Sequence, residues 1–147
     1  TKFKLHHLFV FISDHGHSSY KNRDSWEKGY FHIPLLFYGD VIRDEFKGTV
    51  CNKIGSQVDL ASTLLHQSGL KSKSFEWSKN LLNPISTGFA FYAFEVGFGW
   101  VCSEGDFVYE HNLNKFPINN LPANKKDSII KAGKSYLQQV YQEYWDY

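Results

Sequence analysis

The sequence has no excess of charge of one sign, since 16 basic residues face 15 acidic ones and the net charge is +1. A balanced chain has no global field that attracts nucleic acid or anionic lipid. No apolar run approaches the roughly 18 residues that a membrane helix needs, and no basic-then-apolar leader opens the chain. We therefore expect a soluble chain that does not bind nucleic acid.

Cysteine is scarce and methionine is absent, the initiator included. Cys51 and Cys102 lack the close spacing of a zinc cluster and are too few for a disulfide framework, so they could either pair or both stay buried as small apolar side chains. The chain opens TKFKLHHLFVF, almost directly into a strand of buried type. Because domain boundaries usually fall in polar linkers, this opening predicts a portion of a longer protein.

Two continuous apolar runs, residues 7–12 and 33–38, are bounded by turn residues. Such runs are typical of strands that are covered on both faces, as in parallel α/β sheets. We therefore predict two interior strands. The polar segment between them, residues 16–32, is predicted to be a loop with one helical turn.

A helix is predicted over residues 56–70, where apolar residues recur on one face and Gly69 supplies a left-handed cap. Asp59 lies near its start and is expected to cap the helix or to interact with its dipole, with a direct role in a site as the lesser alternative.

Residues 89–111 predict two or three strands that pair antiparallel, with turns at residues 97–99 and 103–106. The segment 111–124 is rich in Asn and Pro and predicts a surface connection. Apolar residues at spacings of three and four predict an amphipathic helix over 127–147, whose aromatic stripe is a docking face. The 147 residues are enough for one core.

The chemistry is concentrated in Ser13-Asp14-His15-Gly16-His17, where the first strand ends. In open α/β sheets ligands collect outside the carboxyl ends of strands. A turn lets the Asp14 carboxylate and the His15 imidazole converge on one divalent metal, and Gly16 allows a sharp bend. By themselves, these residues also fit a polar strand end with a hydrogen-bonded histidine.

Three segments in order, FVFISDHGH at 9–17, HIPLLFYG at 32–39 and SQVDLASTLLHQSGL at 56–70, resemble the C-terminal part of the alkaline-phosphatase-like sulfatase superfamily. Within it, the likeness is to the branch of lipoteichoic acid synthases and phosphoglycerol transferases. The resemblance covers residues 7–85. It implies an α/β fold: the C-terminal portion of an alkaline-phosphatase-like sheet with flanking helices, a small antiparallel strand region and a C-terminal helix.

The resemblance implies that Asp14 and His15 are two ligands of a catalytic manganese or zinc ion. The hydroxyl nucleophile and at least one more carboxylate ligand would lie upstream, so no catalytic residue is assigned in residues 1–147 and the chain alone is expected to be inactive. His17 and His32 are weaker candidates for contact with the transferred anion or for support of a metal ligand, and each also fits a hydrogen-bonded histidine near a strand end.

The implied function is transfer of phosphoglycerol or phosphoethanolamine from a phosphate ester through a covalent intermediate. Sulfate ester hydrolysis is the alternative within the superfamily, and the upstream nucleophile would separate the two. The resemblance also implies a lipid head group or glycan as substrate, membrane helices upstream and an extracytoplasmic location. Outside the superfamily, a noncatalytic binding module is the alternative, because aromatics make up 18% of the chain. FEWSKNLL at 75–82, followed by FAFYAF at 89–94, could form a surface that binds sugars or proteins, although packing in a buried sheet also explains these residues. A sheet cut in two would expose apolar surface, which predicts a homodimer or marginal solubility for the fragment made alone.

Overall fold

A computed structural model describes residues 6–18 and 21–146 of the chain. Ser19 and Tyr20, within the predicted loop, and Tyr147, the predicted last residue of the final helix, lie outside the described residues. The chain divides into two compact units, residues 1–52 and 53–147. The fold is mixed α and β, with a two-stranded sheet in the first unit and a four-stranded sheet in the second.

The first unit is built on two strands, β1 (Leu8–Ile12) and β2 (Leu35–Gly39), with a one-turn helix α1 (Lys28–Phe31) between them. Both strands were predicted, but the parallel arrangement expected for them is wrong, because β1 and β2 pair antiparallel with Ile12 opposite Leu35. Parallel strands are usually joined by a connection of a dozen or more residues that contains an α-helix packed on the sheet. The connection here is long enough, but its helix α1 has only four residues.

The strands β1 and β2 are not interior strands in the described structure, which corrects a second expectation. Four large side chains share one face of the ladder and are more than half exposed: Phe9 (52%), Phe11 (56%), Leu36 (57%) and Tyr38 (66%). Continuous apolar runs encode a strand that can be covered on both sides. Whether a cover exists depends on other segments, and within the described part of the first unit no third strand joins the ladder.

The second unit contains an antiparallel meander in the order β3 (Phe89–Phe94), β4 (Gly97–Cys102), β5 (Gly105–Glu110) and β6 (Lys115–Asn119). The predicted antiparallel pairing is confirmed, and so is the turn at Ser103 and Glu104. The predicted turn at residues 97–99 is wrong, because the chain turns at residues 95–96 and Gly97 begins β4.

Gly99 explains why a glycine pair sits inside a strand. It lies directly opposite Tyr92 of β3, and a Cβ on Gly99 would overlap the Tyr92 ring. The glycine therefore leaves room for a cross-strand aromatic side chain that is only 9% exposed. The glycine-rich segment that resembled a turn is thus the most buried strand of the sheet.

The strand β6 was missed, since it lies within the segment predicted to be a surface connection. It forms the edge of the sheet and pairs with β5 through Phe107 opposite Asn119 and Val108 opposite Ile118. Pro117 lies in this strand. A proline that lacks an N–H is tolerated at a sheet edge, where one side of the strand needs no partner.

Two helices complete the second unit, and both were predicted. The helix α2 (Asp59–Gln67) ends in a Schellman motif, in which Leu70 N–H donates to the Leu65 carbonyl (2.8 Å) and Gly69 N–H to the His66 carbonyl (3.2 Å). Gly69 has φ +70°, which confirms the left-handed cap. The helix α3 (Lys126–Asp146) is the long C-terminal helix.

The core of the second unit lies between the sheet and α3. Phe98, Trp100 and Phe107 are its buried centre, and partly buried side chains from α3 pack around them: Ile129, Ile130, Tyr136 and Leu137. The first half of the predicted aromatic stripe therefore docks on the sheet. Its continuation at Val140, Tyr141 and Tyr144 is exposed.

Gly133 sets how closely α3 approaches the sheet. It is the buried residue of the helix, and a Cβ at this position would lie 2.7 Å from Phe107 Cζ and 3.3 Å from Phe98 Cε2. Both rings are fully buried, so neither can move away without disturbing the core. Contact between the helix backbone and the aromatic core thus requires glycine.

We expect Gly133→Ala to lower the free energy of unfolding by about 1 kcal/mol. Overpacking a core costs roughly 1–3 kcal/mol, whereas alanine returns about 1 kcal/mol of helix propensity. Urea denaturation measures the difference, with Ala132→Gly as the control that reports propensity alone. A Gly133→Ala variant stabilised by the full propensity gain would contradict the close packing.

The start of α3 is tied to the turn between β4 and β5 through Glu104. The Ser103 hydroxyl donates to its Oε2 (2.7 Å) and Lys125 Nζ to its Oε1 (3.2 Å). These hydrogen bonds, that of Ser103 first, lower the pKa of Glu104 to about 2.

Because the folded pKa lies below the ordinary value of 4.5, the stabilisation is present above pH 4.5 and is lost as the pH falls through about 2. We expect Ser103→Ala to raise the pKa of Glu104 more than Lys125→Gln does, as measured by NMR titration of the carboxyl carbon. The reverse order would show that the ion pair dominates.

Candidate functional site

The candidate site lies where β1 ends. The backbone bends at Asp14 and His15, two residues after Ile12. The His15 amide donates to Asp14 Oδ1 (3.0 Å), and the ring atom His15 Nε2 lies 3.6 Å from Asp14 Oδ2. The two predicted ligands, which a straight strand would send to opposite faces, are therefore brought together by the bend.

The carbonyl of Gly16 fixes the histidine ring. His15 Nδ1 lies 2.8 Å from this oxygen, and because a carbonyl only accepts, the proton of the neutral ring belongs on Nδ1. The lone pair of Nε2 is then free on the side that faces Asp14. This is the arrangement in which a histidine binds a metal, with its second nitrogen held by a backbone carbonyl.

The distance between the two ligand atoms fits a shared ion. Two atoms that each lie about 2.0–2.1 Å from one metal can be no more than about 4.2 Å apart, and Asp14 Oδ2 and His15 Nε2 are 3.6 Å apart. Oxygen and imidazole nitrogen suit manganese or zinc. In residues 6–18 and 21–146 no third His, Cys, Asp or Glu joins them in a group of three, so the pair is at most part of a site.

Exposure limits what the pair does by itself. The side chains of Asp14 and His15 are 89% and 71% exposed, and a contact between polar side chains that are this exposed to water contributes little to stability. The geometry is therefore also that of a simple hydrogen-bonded turn. What distinguishes the two interpretations is whether an ion occupies the pair.

Gly16 packs the site against the neighbouring helix. A Cβ on Gly16 would overlap the Tyr30 carbonyl oxygen in α1, so the bend requires glycine at this position. Because Ile12 lies opposite Leu35, His32 also falls at the same end of the ladder, where it follows α1 as its C-cap. His17 and His32 are both exposed, and neither completes a three-ligand group with Asp14 and His15 in the described residues.

A second carboxylate and imidazole pair, which the sequence analysis missed, lies at the opposite end of the ladder. Asp40 Oδ2 is 3.3 Å from His6 Nδ1, and Asp40 Oδ1 accepts from the His7 amide (2.8 Å). The His7 hydrogen bond, followed by the charge of His6, lowers the pKa of Asp40. This pair could have been predicted from the sequence, because antiparallel pairing brings the residue after β2 next to the residues before β1. It was missed because the two strands were expected to be parallel.

Asp59 is a structural residue, as its predicted capping role implied. Its carboxylate is fully buried and accepts from the Ser56 amide (2.8 Å), the Lys79 amide (2.8 Å) and Lys79 Nζ (2.7 Å). The first contact resembles the acidic half of a capping box, but the helix begins at Asp59, and its N-cap residue, Val58, makes no side-chain capping bond. The other two tie the segment after α2 to the helix, so all of the carboxylate's contacts serve the fold.

We expect Asp59→Ala to destabilise the protein by about 3–5 kcal/mol, because it leaves the Lys79 ammonium and two amides without their acceptor. Asp59→Asn keeps one acceptor oxygen and should cost about 1–3 kcal/mol. Thermal unfolding measures both, with the exposed Asp127→Asn as a matched control. Equal unfolding temperatures for the alanine variant and the parent chain would contradict this role.

Both cysteines are free thiols, so they do not form the disulfide that was one alternative. The other alternative, two buried side chains, is wrong for Cys51, which is exposed, while Cys102 is partly buried. Within residues 6–18 and 21–146, no helix combines the length and the apolar character needed to cross a bilayer.

Comparison with protein-family models, with curated proteins and with solved structures gives no match in any of the three.

Proposed function

We propose that this chain is the C-terminal part of a metal-dependent transferase that moves phosphoglycerol or phosphoethanolamine from a phosphate ester. The proposal rests on the resemblance of residues 7–85 to the sulfatase superfamily and on one observation. Asp14 Oδ2 and His15 Nε2 lie 3.6 Å apart, in the bend that directly follows a strand. In this proposal they are two ligands of a manganese or zinc ion, and residues upstream supply the remaining ligands.

The residues at the bend have distinct roles in the proposed site. Asp14 supplies a negative charge, His15 supplies a neutral nitrogen, and the Gly16 carbonyl holds the Nδ1 proton (2.8 Å) so that the ring stays turned toward Asp14. Gly16 itself keeps the bend against Tyr30. His17 and His32, both exposed at this end of the ladder, would contact the transferred anion.

When bound, the ion would lower the pKa of the nucleophile's hydroxyl group. It would also offset negative charge on the nonbridging oxygens of the phosphate. The nucleophilic hydroxyl belongs to the upstream part of the enzyme. Its oxygen forms the bond to phosphorus while the ester oxygen leaves with a proton, and a second acceptor, a glycan hydroxyl or water, then releases the group. The chain alone is therefore inactive in this proposal.

The apolar face of the two-stranded ladder is consistent with the same proposal. Phe9, Phe11, Leu36 and Tyr38 are each more than half exposed, and isolated two-stranded sheets are marginal in water. The rest of the catalytic domain would cover this face. In its absence we propose that copies of the fragment associate, and light scattering that finds a stable monomer would count against the larger sheet.

An extracytoplasmic location and upstream membrane helices belong to the proposal through the resemblance alone.

The deciding experiment uses the full-length enzyme with Asp14→Ala, Asp14→Asn and His15→Ala. We expect each to lower metal content and metal-dependent turnover of a phosphodiester by about 100-fold or more, since even residues that only support a metal ligand contribute 10–100-fold. Metal analysis by mass spectrometry and turnover are measured on the same samples. Circular dichroism checks that each variant is folded.

Asp40→Asn is the matched control, because Asp40 is also an exposed carboxylate beside a histidine on the same ladder. It should leave metal content and turnover unchanged. Normal metal content and turnover in the Asp14 variants would reject the proposal. Parallel assays with an aryl sulfate separate the sulfatase alternative, which predicts turnover of the sulfate and a formylglycine-forming residue upstream in place of threonine.

A further inference from the structure

A second feature lies in the other unit, far from the proposed chemistry in sequence. Two adjoining hollows, about 340 and 430 Å³ in volume, lie on the surface of the second unit, and Glu76, Trp77 and Glu143 line both of them. Gln139 and Gln142 complete the first, and Ser74 and Asp146 the second. We call this pair of hollows the Trp77 groove. Volumes of this order suit a small organic group.

The aromatic side chain in the groove is held in place. Trp77 Nε1 donates a hydrogen bond to Glu143 Oε2, and the Trp77 ring contacts Tyr136 edge to face, with centroids 4.8 Å apart. Tyr136 also packs against Phe89, Phe91 and Trp100 of the sheet. The indole is therefore fixed by the core before any ligand arrives, which lowers the entropy lost on binding.

The groove is negative although the chain carries a net charge of +1. Three carboxylates line it, those of Glu76, Glu143 and Asp146, whereas none of the lysines and arginines that the structure describes does. The pKa of Tyr136, behind Trp77, is raised by burial first and then by the charges of Asp59 and Glu143. Of the groove's carboxylates, that of Glu143 therefore acts on the aromatic side chain that supports Trp77.

We propose that the Trp77 groove binds an organic cation that carries N–H donors, either an alkylammonium or a guanidinium group. The indole face attracts a cation through its quadrupole. Carboxylates form charge-assisted hydrogen bonds with such donors, and the side-chain amides of Gln139 and Gln142 offer further acceptors. The same charges repel phosphate and sulfate esters, so this groove is separate from a site for those esters.

The cation can belong to a small amine or to a lysine or arginine side chain of a peptide. The test uses the 147-residue chain, and the probes are butylammonium, guanidinium and a lysine amide peptide with blocked ends. Binding is followed by NMR through the indole N–H signal of Trp77, with those of Trp26, Trp100 and Trp145 as internal references. We expect millimolar saturation with shifts confined to Trp77, weakened by added salt.

The chemistry is tested by neutral and anionic probes of the same size. We expect no saturating shift with butanol or butyrate. A neutral disaccharide that saturates the Trp77 signal while butylammonium does not would overturn the proposal in favour of sugar binding. Tighter binding of the lysine peptide than of butylammonium would assign the cation to a protein partner, whereas equal binding would assign it to a small amine.

Glu143→Gln removes one charge and keeps an oxygen that can accept the indole hydrogen bond. We expect it to weaken butylammonium binding about 2- to 5-fold, in line with one exposed charge pair, and Trp77→Leu to weaken it further. The matched control is Glu95→Gln, the same change at an exposed turn outside the groove, which should leave binding unchanged. Equal weakening by Glu95→Gln and Glu143→Gln would reduce the effect to net charge and overturn the site. Because these probes need neither metal nor turnover, failure here leaves the proposed transferase untouched.

Discussion

The antiparallel register of β1 and β2 is the constraint on which the candidate site depends. With Ile12 opposite Leu35, the bend at Asp14 and the residues before β2 fall at one end of the ladder, and His6, His7 and Asp40 fall at the other. A one-residue slip would turn every side chain to the other face and separate these partners. The register therefore decides which polar residues meet.

The two pairs of carboxylate and histidine show what register alone can and cannot do. The register brings Asp40 to His6 (3.3 Å), whereas Asp14 and His15 are neighbours in the chain and meet through the local bend (3.6 Å). Exposed pairs of this kind arise readily in turns. At Asp14 the pair is accompanied by a carbonyl that fixes the ring tautomer and by a glycine that the backbone of α1 requires. The proposal of a metal site rests on this carbonyl, on this glycine and on the resemblance to the sulfatase superfamily.

The second unit is organised by a different contact, the approach of α3 to the sheet at Gly133. Phe107 and Phe98 occupy the space that a side chain there would need. Tyr136, one turn further along α3, packs in the same aromatic core and contacts the Trp77 ring edge to face. The Trp77 groove thus depends on the close helix packing, although none of its lining residues lies in the core.

Local signals in the sequence determined the elements. The spacing of apolar residues predicted α2 and α3, Gly69 predicted the end of α2, and the two apolar runs predicted β1 and β2, because these features act within a few residues of the chain. The same kind of signal placed Asp14, His15 and Gly16 in one bend. Gly99 led to the wrong prediction of a turn at residues 97–99, because a glycine that makes room for Tyr92 looks the same in sequence as a glycine in a turn.

Only the tertiary structure determined which residues pair with each other and which strands are covered. Whether β1 and β2 ran parallel, whether they were buried, and which carboxylate met His6 all depended on contacts between residues about 30 positions apart, which no local pattern encodes. The edge strand β6 likewise exists because β5 offers it hydrogen bonds, despite Pro117 and the asparagines around it. The sequence by itself determined where strands, helices and ligand-type residues lie; pairing in three dimensions determined which of them face one another, because hydrogen-bond partners and packing neighbours are supplied by distant segments.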